Sequence, residues 1–324
     1  MLRSWLGTLV FRRYVALITR RVARGEIRES ETEGRLRRAR EWLIRSGDPT
    51  VSMPVGRRTL RIPLSHQLPV YRALLPSYDR LLPSLARVLH ESGIRIDMID
   101  VGANIGDSMA LVLEFAPNAR FLCIEGHGRY AAILRRNASR LGADVEVVDV
   151  FCGDGSESGW RVADDSHGTA RLAPIYALEG TPRMVTLDAL AGSHQRARGV
   201  TLLKIDTDGS DIRVLRGASA LLRDALPILL VEFHPGLLRE NGEHPADLFS
   251  SLSAAGYTRA RLYTNRGDSL GTFALTDTLV HAAESSIDGV LVEYLDILAW
   301  GPTHVAVIAR LNALEAAAIH PART

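Results

Sequence analysis

Strands and helices alternate along most of this chain, and that alternation narrows the fold more than any other feature. From Tyr78 the apolar pattern gives a helix to about His90, a strand at 96–101, a helix at 107–116, a strand at 120–125, a helix at 128–140 and a strand at 145–150. Later come a strand at 201–206, a helix at 211–223, a strand at 228–233, a helix at 245–255 and strand-like stretches near 258–263 and 290–299. Such a pattern specifies an α/β fold with a doubly wound, mostly parallel sheet, whose ligands sit at the carboxyl ends of the strands. There is no internal repeat and no low-complexity tract.

The first strand end reads Met98-Ile-Asp-Val-Gly-Ala-Asn-Ile-Gly-Asp-Ser108. A strand, a glycine turn and a helix in succession place free backbone N–H groups beside a ligand. On the dinucleotide fingerprint G-x-G-x-x-G, Gly102 fits the first glycine, but Asn104 and Asp107 occupy the other two places. The second glycine lets backbone approach a pyrophosphate, and a carboxylate at the third opposes phosphate, so NAD and FAD are disfavoured. A cationic sulfonium with an amino-acid tail tolerates both residues, and Asp100 could reach that tail's ammonium through a water. S-adenosylmethionine is such a ligand. Strand Arg120-Phe-Leu-Cys-Ile-Glu125 then ends in a carboxylate at the spacing where nucleotide-binding α/β folds hold ribose hydroxyls. Asp100, Gly102, Asn104, Gly106 and Glu125 are the expected cofactor contacts.

A third strand end, Leu202-Leu-Lys-Ile-Asp-Thr-Asp-Gly-Ser-Asp-Ile-Arg-Val-Leu-Arg-Gly217, joins these two. Together with Val185-Thr-Leu-Asp188 and Val231-Glu-Phe-His234, the set resembles the FkbM-type S-adenosylmethionine-dependent methyltransferases over roughly residues 78–300. The resemblance implies a Rossmann-like class I sheet of seven strands, O-methylation as the usual reaction, and sugars, glycans or natural products as acceptors. Asp208 stands where the family more often has Glu.

Methyl transfer from a sulfonium to an alcohol requires a positioned acceptor and removal of its proton. Lys204 and Asp206 lie two apart on one strand, and Glu232 and His234 two apart on another, so each pair projects to one face. These four are the candidate catalytic residues. Asp206 could orient the methionine portion or take the proton, and Lys204 could hold Asp206 or stabilise an alkoxide. His234 is either a base suited to neutral pH or a cap for the loop before Pro235. Asp206, Asp208, Asp211 and Glu232 could also hold Mg²⁺, but Asp211 fits a helix cap and Asp208-Gly209 fits a turn, so no metal is expected. The polar stretch from Asp164 to Thr169 reads as an active-site loop, whereas Trp160, Trp300 and Tyr294 read as core.

Charge divides the chain. Residues 1–45 carry 12 Arg and 5 Glu, a net of +7, so the remainder carries −5 of the total of +2. Of 39 basic residues only Lys204 is lysine, a skew typical of GC-rich coding, and it falls inside a strand-end motif. The boundaries expected are a basic helical arm at 1–47, a short β-like connector at 48–77, the methyltransferase domain at 78–316 and a tail at 317–324. In the arm, Phe11, Val15, Ile18 and Val22 share one helical face, with Arg13, Arg20 and Arg24 opposite. That face suits packing on the protein's own body or peripheral contact with the inner face of a membrane.

No run approaches the ~18 apolar residues of a spanning helix. Cys123 and Cys152 make neither a disulfide framework nor a zinc site, which suits a reducing cytoplasm. No nucleic-acid-reading module accompanies the basic arm. The expected partner is a small-molecule or glycan acceptor with a free hydroxyl. The competing reading is a catalytically silent domain of the same fold that binds a ligand or partner.

Overall fold

The structure, a computed structural model, describes residues 2–156, 160–164, 170–174, 184–276, 278–290 and 292–319. Asp165–Thr169 of the expected active-site loop, and the side chain of Trp160, lie outside the described residues. Helices α1 (Leu2–Ala23) and α2 (Glu31–Arg45) precede a hairpin of β1 (Thr50–Val55) and β2 (Arg58–Pro63), then α3 (Leu68–Leu74) and α4 (Leu81–Glu91). Alternation follows with β3 (Asp97–Val101), α5 (Asp107–Val112), β4 (Arg120–Ile124), α6 (Gly128–Leu141) and β5 (Asp144–Val148). Short strands β6 (Phe151–Cys152), β7 (Trp160–Asp164), β8 (Ala170–Pro174) and β9 (Met184–Val185) lead to α7 (Leu187–Ser193). The second half runs β10 (Leu202–Ile205), α8 (Asp211–Arg216), α9 (Ser219–Ala225), β11 (Ile228–Phe233), α10 (Pro235–Glu240) and α11 (Ala246–Ala254). It closes with β12 (Arg259–Thr264), β13 (Ser269–Ala274), α12 (Leu279–Val290), β14 (Leu295–Ala299) and α13 (Val305–Ile319).

The central sheet has the order β13-β12-β14-β11-β10-β3-β4-β5. Strands β3, β4, β5, β10 and β11 are mutually parallel, while β14 runs against β11 and β12, and β13 against β12. The sheet is therefore doubly wound, Rossmann-like and mostly parallel, but it has eight strands rather than seven. The extra strand arises because a tight turn, with Thr264 N donating to Asp268 O at 2.9 Å, folds the chain back onto the free edge of β12.

Two other expectations are corrected. The helix read at 211–223 is two helices: at Gly217 a Cβ would lie 1.9 Å from the Gly153 carbonyl oxygen. Asp188 restarts the backbone as α9 by accepting from the N–H groups of Ala220 (3.0 Å) and Leu221 (2.9 Å). The strand read at 290–299 begins only at Leu295, because 279–290 is helical.

The middle strands are buried on both faces, as apolar runs such as Ile228–Phe233 require. Ile99, Val101, Leu203, Ile205, Val231 and Phe233 belong to one core cluster, and Met98, Leu202, Ile228 and Leu230 to another on the opposite face. Alternation then assigns Asp100, Lys204 and Glu232 to the face of Met98, Leu202 and Leu230. The pairing register puts Asp100 beside Lys204, and Glu232 beside Asp296. A row of charged groups thus forms where that face reaches the strands' carboxyl ends.

A third core joins the amino-terminal elements to this body. Phe11, Tyr14 and Ile18 of α1 and Leu43 of α2 cluster with Val51, Met53, Leu60 and Ile62 of the hairpin and with Ala110, Leu111, Tyr130 and Ile133 of α5 and α6. The buried face of α1 is centred nearer Tyr14 than the sequence suggests, with Val15 and Val22 half-buried at its flank. Buried Asn137 of α6 fastens the hairpin: its Nδ2 donates to Arg61 O (2.9 Å) and Ile105 O (2.8 Å), and its Oδ1 accepts from Arg61 N (2.8 Å). Among the described residues no helix is long and apolar enough to cross a membrane.

Candidate active site

A cavity of about 550 Å³ opens at the carboxyl ends of β3, β4, β10 and β11. Gly102, Asn104, Glu125, Lys204, Asp206, Glu232 and His234 all line it. Asp100 lies just beneath, fully buried, with neither carboxylate oxygen hydrogen-bonded.

The β3 turn is shaped for close approach. Gly102 has φ +82°, and a Cβ there would stand 1.8 Å from the Asp206 carbonyl oxygen, so only glycine lets the two turns touch. Gly106 does not line the cavity; its φ of +85° turns the chain into α5 against Leu134. Glu125 accepts from Asn104 N at 2.8 Å and His127 N at 2.7 Å, which ties the first two strand-end turns together. Each carboxylate oxygen keeps a lone pair for a further donor such as a ribose hydroxyl. Val150, Phe151 and Cys152 continue the wall beside Glu125 as an apolar strip.

At the centre, Lys204 Nζ donates to Asp206 Oδ2 at 2.6 Å and stands 4.0 Å from Asp100 Oδ1. The Lys204 side chain is 14% exposed and that of Asp206 43%, so the pair runs from the interior into the cavity. Burial opposes the ammonium, but Asp206 and Asp100 outweigh it and hold the lysine pKa well above its ordinary value. Glu232 is pushed well above the carboxylate range by burial and by Asp206, Asp208, Asp211 and Asp296. His234 accepts from Leu237 N at 3.2 Å through Nδ1 and stacks on Tyr294 with centroids 6.1 Å apart. That bond assigns the proton of the neutral ring to Nε2.

Asp211 is not directed at the cavity. Its carboxylate accepts from Thr207 N (3.0 Å), Thr207 Oγ1 (2.9 Å) and Gly209 N (3.1 Å), closing the turn in which Asp208 has φ +51°. Among the described residues no three His, Cys, Asp or Glu side chains converge to hold a metal ion.

Several cavity residues have no local signature in sequence. Tyr78 and Tyr294 face each other, hydroxyl to hydroxyl at 3.4 Å, and both line the cavity, so Tyr294 is not the core residue expected, whereas Trp300 is buried. His66, Gln67, Leu68, Tyr71 and Leu75, from the segment read as a connector, form part of the wall. The lining includes six carboxylates, Asp107, Glu125, Asp206, Asp208, Glu232 and Glu293, against one ammonium, Lys204. Such a cavity suits a cationic ligand with an ammonium group and disfavours a pyrophosphate. The orphaned Asp100, the Gly102 cradle and the Glu125 carboxylate all fit S-adenosylmethionine.

Burial raises Asp79, Asp100, Glu125 and Asp296 each to about 7. A carboxyl whose folded pKa exceeds its unfolded value of about 4 binds more protons when folded between those values, so its stabilisation is complete below about pH 4 and is lost as pH rises through about 7. The ligand-free melting temperature is expected to fall between about pH 5 and about pH 8. A melting temperature that rises across this window, by differential scanning fluorimetry, would contradict the burial of these groups.

A family model described as the methyltransferase FkbM domain matches residues 100–259. No curated protein matches the chain in sequence. Among solved structures, the chain is similar to a methyltransferase FkbM from Methylobacillus flagellatus at 17% identity, covering 64% of this chain and 52% of that one, with a TM-score of 0.39. The chain thus spans about half the length of that protein. It is also similar to a putative O-methyltransferase from Klebsiella pneumoniae (12% identity, 81% and 96% covered, TM-score 0.38) and to a SAM-dependent methyltransferase from Aquifex aeolicus (14%, 71% and 92%, 0.36). The matched segment begins at Asp100 and ends at Arg259, and so holds all three strand-end turns and every expected site residue. Residues 100–259 thus form a methyltransferase FkbM domain, of a family that uses S-adenosylmethionine.

Proposed function

We propose that the protein is an O-methyltransferase that transfers a methyl group to a hydroxyl of a sugar, glycan or natural-product acceptor. The observation that carries this reading is the Lys204–Asp206 pair, with the aspartate exposed in the cavity and the lysine buried behind it. S-adenosylmethionine, when bound, supplies an electrophilic methyl group whose leaving thioether needs no protonation. An alcohol is a poor nucleophile until its proton leaves, so the protein must hold the hydroxyl and accept the proton as the new bond forms. Asp206 is that acceptor. Lys204 fixes its orientation at 2.6 Å. His234 presents Nε2–H, which suits it to orient the acceptor oxygen while Asp206 takes the proton. Tyr71, Tyr78 and Tyr294 offer ring faces and hydroxyls to a polyhydroxylated acceptor.

Asp206→Asn is expected to lower turnover by about 10²–10⁴-fold while S-adenosylhomocysteine still binds, because general-base contributions fall in that range. Single-turnover assays with hydroxylated acceptors, scored for methyl ether by mass spectrometry, test both statements. Transfer to nitrogen or carbon acceptors alone would sink the O-methylation reading. Cofactor binding with no transfer to any acceptor class would favour a silent ligand-binding domain.

The arm adds a location to this reading. Leu2, Trp5, Leu6 and Leu9 are exposed at helical spacing on the outward side of α1, with exposed Arg13 and Arg20 further along the same side. An apolar end followed by arginines supports peripheral contact with an anionic membrane surface.

A further inference from the structure

His66 lies outside the matched domain, in the segment between the hairpin and α3. Its imidazole is 6% exposed and lines the cavity. Nδ1 accepts from Leu68 N at 3.3 Å, so the ring proton is on Nε2. Nε2 itself is buried with no hydrogen bond of good geometry, and the Asn104 side chain is a weakly interacting polar neighbour of the ring. A buried N–H left unpaired is costly, and native structures seldom keep one without a use.

The surroundings hold this N–H in place. Arg40 of α2, itself buried, donates through Nε to Leu64 O (2.9 Å) and through Nη2 to Ser65 O (2.9 Å) and His66 O (3.4 Å). The guanidinium rests 4.4 Å from the centre of the Phe11 ring. From the other side, Asp48 accepts from Ser65 N and Ser65 Oγ, both at 2.8 Å. Three carbonyls and one carboxylate therefore fix the loop that carries His66. Loops held this tightly place a donor more accurately than a mobile loop can.

Its position indicates the ligand. His66 lies near Asn104 of the β3 turn and Asp107 of α5, and all three line the cavity together with Ser108, whereas Asp206, His234 and Tyr294 stand where the proposed reaction holds the acceptor. The cofactor's amino-acid tail is a zwitterion and needs groups of both kinds. Asp100 and Asp107 suit its ammonium; the tail's carboxylate needs uncharged or cationic donors, which the cavity's six acids do not supply. We propose that His66 Nε2–H, with the Ser108 hydroxyl, binds the carboxylate of the cofactor's amino-acid tail. The amino-terminal arm is then part of the cofactor site, acting through Arg40 as a positioning residue. The inference rests on the cofactor assignment and not on the identity of the acceptor.

Calorimetric titration of the full chain with S-adenosylhomocysteine and with 5′-methylthioadenosine, which keeps the adenosine and thioether but lacks the tail, tests this. His66→Phe fills the same space without a donor and is expected to weaken S-adenosylhomocysteine binding by about tenfold or more, as for a lost hydrogen bond to a charged group. Binding of 5′-methylthioadenosine should stay within about twofold, and His66→Gln, which restores an N–H, should recover most of the loss. Equal losses for both ligands, or no loss for either, would overturn the proposal. If the unmodified protein bound neither ligand, the cofactor assignment itself would fall, an outcome separate from a failure of His66 alone. Circular dichroism of each variant separates a binding loss from misfolding.

Discussion

Lys204→Met is expected to abolish methyl transfer and to destabilise the fold by about 3 kcal/mol, the lower end of the cost of removing one partner from a buried ion pair. The ammonium lies between Asp206 at 2.6 Å and Asp100 at 4.0 Å, and Asp100 is fully buried with no hydrogen-bond partner. Without it, Asp100 must take a proton or remain an uncompensated buried charge. Burial has already raised its pKa to about 7, so neutralising it costs little, which is why the lower end of the range applies. Asp206 would lose the group that orients it and that tempers its charge. Lys204→Arg separates the two effects. It keeps the charge and should fold, but a planar fork cannot occupy a space shaped for a point charge between two carboxylates, and turnover is expected to drop by at least about tenfold. Near-normal single-turnover rates in Lys204→Arg, with an unchanged melting temperature, would remove the argument for a compact ammonium at this place.

Deleting residues 1–45 is expected to remove cofactor binding and most of the soluble yield. The deletion takes away Phe11, Tyr14, Ile18 and Leu43, all buried against the β1–β2 hairpin, and with them Arg40. At about 1.5–3 kcal/mol for each large buried side chain, the loss is roughly 6–12 kcal/mol, comparable with the whole stability of a typical domain. Val51, Met53, Leu60 and Ile62 would then face water, and the His66 loop would lose the donor to its three carbonyls. Arg40→Met is the milder companion, since it keeps the helix and removes only those bonds. Soluble expression, size-exclusion chromatography and titration with S-adenosylhomocysteine measure the outcome. A truncated monomer that binds with unchanged affinity would show that the arm is a detachable appendage.

The parts of the site that were legible in the sequence are those where a strand end and its turn are contiguous. Asp100, Gly102, Asn104 and Glu125 were readable because a turn at the end of a buried strand must show glycine and a polar residue within a few positions of an apolar run. Lys204 was conspicuous for a different reason, as the one lysine among 39 basic residues. Glu232 was locatable on its strand and His234 just past that strand's end, but their neighbours were not. The pairing of Glu232 with Asp296 depends on β14 entering the sheet antiparallel beside β11. His66, Tyr78 and Tyr294 come from segments whose local pattern is that of connectors, and nothing adjacent to them in sequence points to the cavity. The eighth strand was missed because its residues are mostly half-exposed and lack the apolar run that marks the buried strands.

The sequence by itself determined the α/β alternation, the three strand-end turns, the carboxylate of Glu125 at the second strand end and the central Lys–Asp pair. Each of these is set by residues a few positions apart, where periodicity and turn chemistry act. Only the tertiary structure decided that the basic arm is built into the body, that Arg40 grips the loop carrying His66, and that tyrosines from both ends of the chain meet across the cavity. Those features depend on burial and on contacts between residues tens to hundreds of positions apart, which local pattern does not encode.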